Sequence, residues 1–175
     1  ASPTSTPVST AISTATATAT PTPAPTTVST LTPTPLPTAG TCAIIAPAGW
    51  TLNPFRQAID GGLAIDGSLT TVWNSGVGQN AGQYFGIDLG TKRIVGGLII
   101  DASGDPANAL RGFVVKVSPD GGVFTAVASG TLSGPIVTAA FDPVLVQYVS
   151  VEPAITDFSR TWSIGEYALC SSMSV

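Results

Sequence analysis

From Gln83 to Cys170 the chain reads as short runs of β-branched, aliphatic and aromatic residues, broken by Gly, Pro and Asp and recurring about every ten residues. These runs predict strands at Tyr84–Leu89, Ile94–Asp101, Gly112–Ser118, Phe124–Ser129, Ile136–Phe141, Val146–Glu152 and Ile164–Cys170. Ser118-Pro119-Asp120-Gly121-Gly122 predicts a hairpin turn, because Asp can bond its own backbone and Gly tolerates positive φ. No segment long enough for a helix shows helical periodicity. Regularly spaced strands without helices predict an all-β sandwich or barrel.

Upstream, apolar Ala43-Ile44-Ile45 is followed by two turns, Pro47–Trp50 and Asn53-Pro54-Phe55. Gln57–Gly62 and Leu63–Ser68 echo one another, but a single echo does not make a repeat architecture. The stretch Leu63–Trp73 puts the turn Asp66-Gly67 ahead of a Thr-rich loop that ends in a Trp. Such a Trp can bury a large apolar area and so fix where the loop lands.

Residues 1–40 are different material, with 14 Thr, 5 Ser and 8 Pro and no charged side chain. They lack the apolar bulk to offset chain entropy and are expected to form an extended arm ahead of a single domain at 41–175. This composition suits an O-glycosylated stalk, with O-glycans expected on Thr14, Thr16, Thr18, Thr20, Thr22, Thr26, Thr27, Thr32 and Thr34. Between Thr10 and Thr20, β-branched residues alternate with Ala and Ser, and no Pro interrupts Val8–Thr20. That period of two is a strand signature, and a lone strand needs an edge to join, such as that of a neighbouring subunit.

Composition narrows the function further. Charged residues make up 9% of the chain and the net charge is −4, so there is no basic patch for nucleic acid. Such a sparsely charged surface needs neutral polar groups, attached sugar or covering subunits to stay soluble. No apolar run reaches membrane-spanning length. The start at Ala1, with Met173 the only Met, suggests a processed chain. Cys42 and Cys170 lie near the two ends of the domain, either as buried thiols or as a disulfide closing it, and the second option implies a secreted, extracellular protein. The absence of His removes the usual neutral-pH base and His-dependent catalysis, so no enzyme is expected. Asp60, Asp66, Asp88, Asp120 and Glu166 all fall at turns or strand ends.

Several motifs occur in order along the domain. They are Asp66-Gly67, Thr71-Val72-Trp73, a strand ending Asp88-Leu89-Gly90, and Val115-Lys116-Val117-Ser118-Pro119-Asp120-Gly121. Gln147–Val151 and Ile164–Leu169 with Glu166 follow. The set resembles the discoidin-like domains, which include the coagulation-factor C-type domains and the family-32 carbohydrate-binding modules. The paired terminal cysteines fit the same pattern. The resemblance spans about Cys42–Cys170 and implies an eight-stranded jelly-roll sandwich.

The resemblance also implies two sites. A structural Ca2+ ion would take Asp66, Thr71 and Glu166 as side-chain ligands, with backbone oxygens near Leu63 and Ser68; hard oxygens from a tight loop suit that ion. The bland alternative is that Asp66 caps its own turn and Glu166 pairs with Arg160 or another Arg. A sugar would stack on Trp162 with Arg160 beside it, and Trp50, Asn53 and Arg56 would face it from an early loop. Trp162 could equally belong to the core or to a subunit contact.

Two functions follow. The first is a non-enzymatic subunit of an extracellular glycosylated fibre or pilus-like filament, polymerising with itself through the arm. The second is a secreted carbohydrate-binding module on a mucin-like linker, with glycans as its partners.

Overall fold

The computed structural model describes residues 41–174. The O-glycosylation positions, the alternating tract at 10–20 and the arm that would bridge subunits lie outside the described residues.

Among the described residues there are nine strands: β1 (Cys42–Ile45), β2 (Thr51–Pro54), β3 (Trp73–Asn74), β4 (Phe85–Asp101), β5 (Gly112–Ser118), β6 (Thr125–Thr131), β7 (Ile136–Pro153), β8 (Ser163–Ile164) and β9 (Glu166–Met173). All pair antiparallel. Seven lie in one continuous sheet, ordered β1-β9-β4-β7-β5-β6 with β2 also on β4, while β3 and β8 pair separately. The all-β, discoidin-like sandwich expected from the sequence is the fold observed.

The count reaches nine because β1, β2 and β3 lie ahead of the predicted runs and the last run divides into β8 and β9, although β4 and β7 each fuse two runs. Their pairing register shifts between Asp88 and Arg93 and again between Val95 and Gly97. At the corner, Gly90 takes φ +73°, a conformation side chains disfavour, and its N–H donates to Asp88 Oδ1 at 2.8 Å. The first part of β4 pairs with β2 and with the end of β7, and its last part pairs with β9 and the start of β7. Two bent strands therefore serve both layers of the sandwich, as bulges and corners allow. In the predicted run Ile164–Cys170, Gly165 turns its N–H to Asp101 O at 2.8 Å, which separates β8 from β9.

Alternate residues of the strands fill the core: Phe85, Ile87 and Leu89 on β4, Val115 and Val117 on β5, Val149 and Val151 on β7, and Leu169 on β9. One end of that core is aromatic. Trp73 meets Phe85 edge-on at 4.9 Å and Trp162 edge-on at 5.1 Å, and Tyr167 stacks on Phe85 at 5.8 Å. Edge-to-face pairs of this kind add about 0.5–1.5 kcal/mol each beyond area burial.

The cysteines form the disulfide Cys42–Cys170, with Cα atoms 5.2 Å apart, tying β1 to β9. It joins residues 128 apart. Among the described residues no helix is long and apolar enough to cross a membrane.

Candidate functional site

The turn at Asp66 forms as its residues dictate. Gly67 has φ +81°, and Ser68 N donates to Asp66 Oδ1 at 2.9 Å. The Thr71 hydroxyl lies 2.7 Å from Asp66 Oδ2 and 3.0 Å from Ser68 O. Glu166, from the start of β9, accepts the Gly67 and Ser68 amides on Oε1, the latter at 2.8 Å. The structure thus brings Asp66, Thr71 and Glu166 together. The Thr71 hydroxyl first, then the Ser68 amide, hold the exposed Asp66 carboxyl below its usual 3.8. Arg160 is not the partner of Glu166, because its guanidinium lies 3.5 Å from Asp157 instead.

A second cluster arises where three loops meet, and buried Gln79 joins them. Its backbone exchanges N–H···O bonds with Asp157, at 3.0 and 2.9 Å, and its N–H also reaches Arg160 O at 2.8 Å. Its side-chain amide donates to Ala109 O and Thr161 O, both at 3.0 Å, and its Oε1 accepts the Arg111 N–H at 3.4 Å. A fully buried amide with every group satisfied locks such loops in place. Next to it, a Cβ at Gly78 would sit 2.6 Å from the Phe158 Cα, so only Gly allows this close approach.

The result is a cleft of about 410 Å³ lined by Phe55, Arg56, Asn80, Gln83 and Phe158 among others. Phe158 is 74% exposed. Arg56 lies over the Phe55 ring at 5.6 Å, and its carbonyl accepts the indole N–H of core Trp73 at 3.1 Å, so the core also positions this wall. Gln83 is buried and gives Nε2 to Gly78 O at 2.6 Å, while its Oε1 has no hydrogen-bond partner among the described residues. The cleft therefore offers aromatic faces, a guanidinium and the Asn80 amide.

Of the five residues expected at a sugar site, Arg56 alone lines this cleft. Trp162 is a correction: it is fully buried against Trp73, with no ring face left to stack on a ligand. Arg160 is committed to Ala107 O at 3.0 Å and to Asp157. Trp50 packs half-buried on the core, and Asn53 is exposed on β2, facing a groove elsewhere on the sheet.

The missed residues are Phe55, Gln79, Asn80, Gln83 and Phe158. Phe158 had a local signal, since it sits among Asp157 and Ser159 outside any strand run, whereas Trp162 directly precedes β8. Gln79 had none, because its partners are distant in sequence.

Among solved structures, similar ones include chitosan-binding module 1 of a chitosanase/glucanase from Paenibacillus sp. IK-5. It is 24% identical, with 69% of this chain and 92% of that one covered and a TM-score of 0.57. The family 32 CBM from C. perfringens NanJ, solved in complex with galactose, is 22% identical over 73% of this chain and 97% of that one, with a TM-score of 0.62. CpGH89CBM32-5 from Clostridium perfringens, in complex with GalNAc-β-1,3-galactose, is 20% identical over 69% and 93%, with a TM-score of 0.58. These likenesses show a shared fold. No curated protein matches the chain. The F5/F8 type C family described as "NedA-like, galactose-binding domain" matches residues 63–151, just over half of the sequence and the span that carries the Asp66 loop, the Gln79 hub and β4 to β7. The chain belongs to that family.

Proposed function

We propose that the domain is a non-catalytic carbohydrate-binding module that holds a galactose-type residue in the Phe158 cleft. The observation that supports it most is a largely exposed aromatic ring, Phe158, on the wall of a cleft that Arg56 and Asn80 also line. The ring presents an apolar surface to the C–H face of a pyranose. Arg56 and Asn80 supply donors to its hydroxyl oxygens. Few precisely placed polar groups around an aromatic wall are the general makeup of a small-ligand site. The NanJ module's complex with galactose adds to this reading.

Catalysis has little to work with. There is no His, and the carboxylates of Asp66, Asp88, Asp120 and Asp157 accept amide hydrogens of their own turns. The disulfide suits a secreted protein. The fibre-subunit expectation rests on the sparse charge and on residues 1–40, which lie outside the described residues, and the cleft favours the module instead.

Calcium is proposed at the Asp66 loop. Among the described residues no group of three or more His, Cys, Asp or Glu is placed to hold a metal, so the proposal rests on two carboxylates and neutral oxygens. Two carboxylates with a hydroxyl and a carbonyl oxygen do fit a hard cation. Asp66, Thr71 and Glu166 would hold it, and it would clamp the 66–71 loop to β9.

Titration calorimetry with galactose tests the cleft. Phe158→Ala is expected to weaken binding about tenfold or more, equivalent to about 1.4 kcal/mol of lost stacking. Unchanged affinity would remove Phe158 from the site.

A further inference from the structure

The outer face of the sheet carries a second concavity that the cleft does not use. Side chains on antiparallel neighbours share a face. One row across the sheet therefore reads Asn53–Gly86–Ser150–Lys116, and the next reads Thr51–Asp88–Tyr148. Gly86 and Ser150 are small and make a floor. Around them stand Tyr84, Tyr148, Phe124 and the Lys116–Glu152 ion pair, whose Nζ and Oε2 are 2.7 Å apart. The groove they enclose is about 580 Å³, larger than the cleft and within the usual range for ligand sites.

The groove adjoins the cleft through two short pieces of chain. Asn53 and Tyr84 line the groove, while Phe55, Arg56 and Gln83 line the cleft. The rings of Phe55 and Tyr84 meet edge-on at 6.0 Å, so an aromatic surface runs from one hollow into the other. Its charge also constrains the occupant. Two carboxylates, Asp88 and Glu152, face a single ammonium, Lys116, which Glu152 already holds. An anionic ligand gains nothing there.

We propose that the sheet groove is a second saccharide subsite, and that the ligand of this domain is a neutral oligosaccharide running from the Phe158 cleft onto the sheet face, with Tyr148 as the groove's stacking platform. This rests on the cleft being a sugar site. It specifies the interior of a glycan chain as the target, where the cleft alone would accept one terminal residue.

Calorimetry with galactose and with β-linked galacto-oligosaccharides of increasing length separates the two claims. The wild-type domain is expected to bind the longer oligomers about tenfold more tightly than galactose, a gain typical of one added aromatic contact. Tyr148→Ala is expected to return the oligomers to the affinity of galactose and leave galactose itself unchanged. Exposed Asn53→Ala, which leaves the sheet intact, is expected to lower oligomer affinity alone. Galactose binding with no gain on lengthening overturns the groove and spares the cleft, as does a gain that survives both substitutions. Binding of neither galactose nor oligomers overturns both. If sedimentation shows Tyr148→Ala abolishing self-association instead, the occupant is a second copy of the chain and the saccharide subsite falls.

Discussion

Trp162 and Phe158 stand four residues apart in the segment joining β7 to β8, and one ends in the core while the other ends at the surface. Trp162 is fully buried in an aromatic group with Trp73, Phe85 and Tyr167, whereas Phe158 is 74% exposed at the mouth of a cleft. Both are large aromatics that could stack on a sugar. What separates them is the next element: Trp162 leads into β8, which pairs with β3 and draws it inward beside Trp73. Phe158 rides on a tight turn in which the Asp157 carboxylate takes the Ser159 amide at 3.1 Å. A chain with so few aromatics uses them for two unlike tasks, and bulk alone does not tell which.

The contrast can be broken from the buried side first. Cys170 is fully buried on the same β9 as Tyr167. Replacing Cys42 and Cys170 by Ser is expected to cost roughly 4–5 kcal/mol on the loop-entropy account, read by urea unfolding in parallel with the oxidised protein. Trp162→Ala is expected to cost about 3–5 kcal/mol in the same assay, because it removes a fully buried ring from one end of the aromatic group. A loss under 1 kcal/mol would mean that the ring is not a core residue.

Calcium at 100 times its dissociation constant is expected to raise stability by about 2.7 kcal/mol. Thermal melts with calcium chloride and then a chelator check this, and Glu166→Gln should abolish the shift while keeping an acceptor for the Gly67 and Ser68 amides. Identical melts with and without calcium would remove the ion from the Asp66 loop.

Phe158→Ala reverses the pattern of Trp162→Ala, with a stability change within about 0.5 kcal/mol, as for an exposed side chain, alongside the loss of sugar affinity. The smallest effect concerns acid. Asp66 has a folded pKa below 3.8, so its contribution is present above that value and is lost as pH falls through the lower folded value. Asp66→Asn should lower stability slightly at neutral pH, where that contribution is present, and converge with the wild type as pH falls below 3.8, which flattens the acid limb.

Much of the site's scaffolding was legible from local rules. Asp66-Gly67 and Asp120-Gly121 form the turns their side chains favour, with positive φ at both glycines. Trp73 is buried, as a loop-ending Trp should be. The Thr71 and Glu166 contacts followed from an ordered set of motifs that no single stretch could establish. The cleft was illegible for the opposite reason. Gln79 reaches partners near residues 109–111 and 157–161, and Gly78 matters only because Phe158 passes over it.

The amino-acid order by itself determined where the long strands run and which turns break them, since these depend on period and backbone freedom over a few residues. The tertiary structure alone decided that β4 and β7 bend through both layers, that Trp162 is core and Phe158 is surface, and that two hollows share one aromatic seam. Those outcomes depend on which distant segments compete for the same buried space, and close packing admits only one of the competitors.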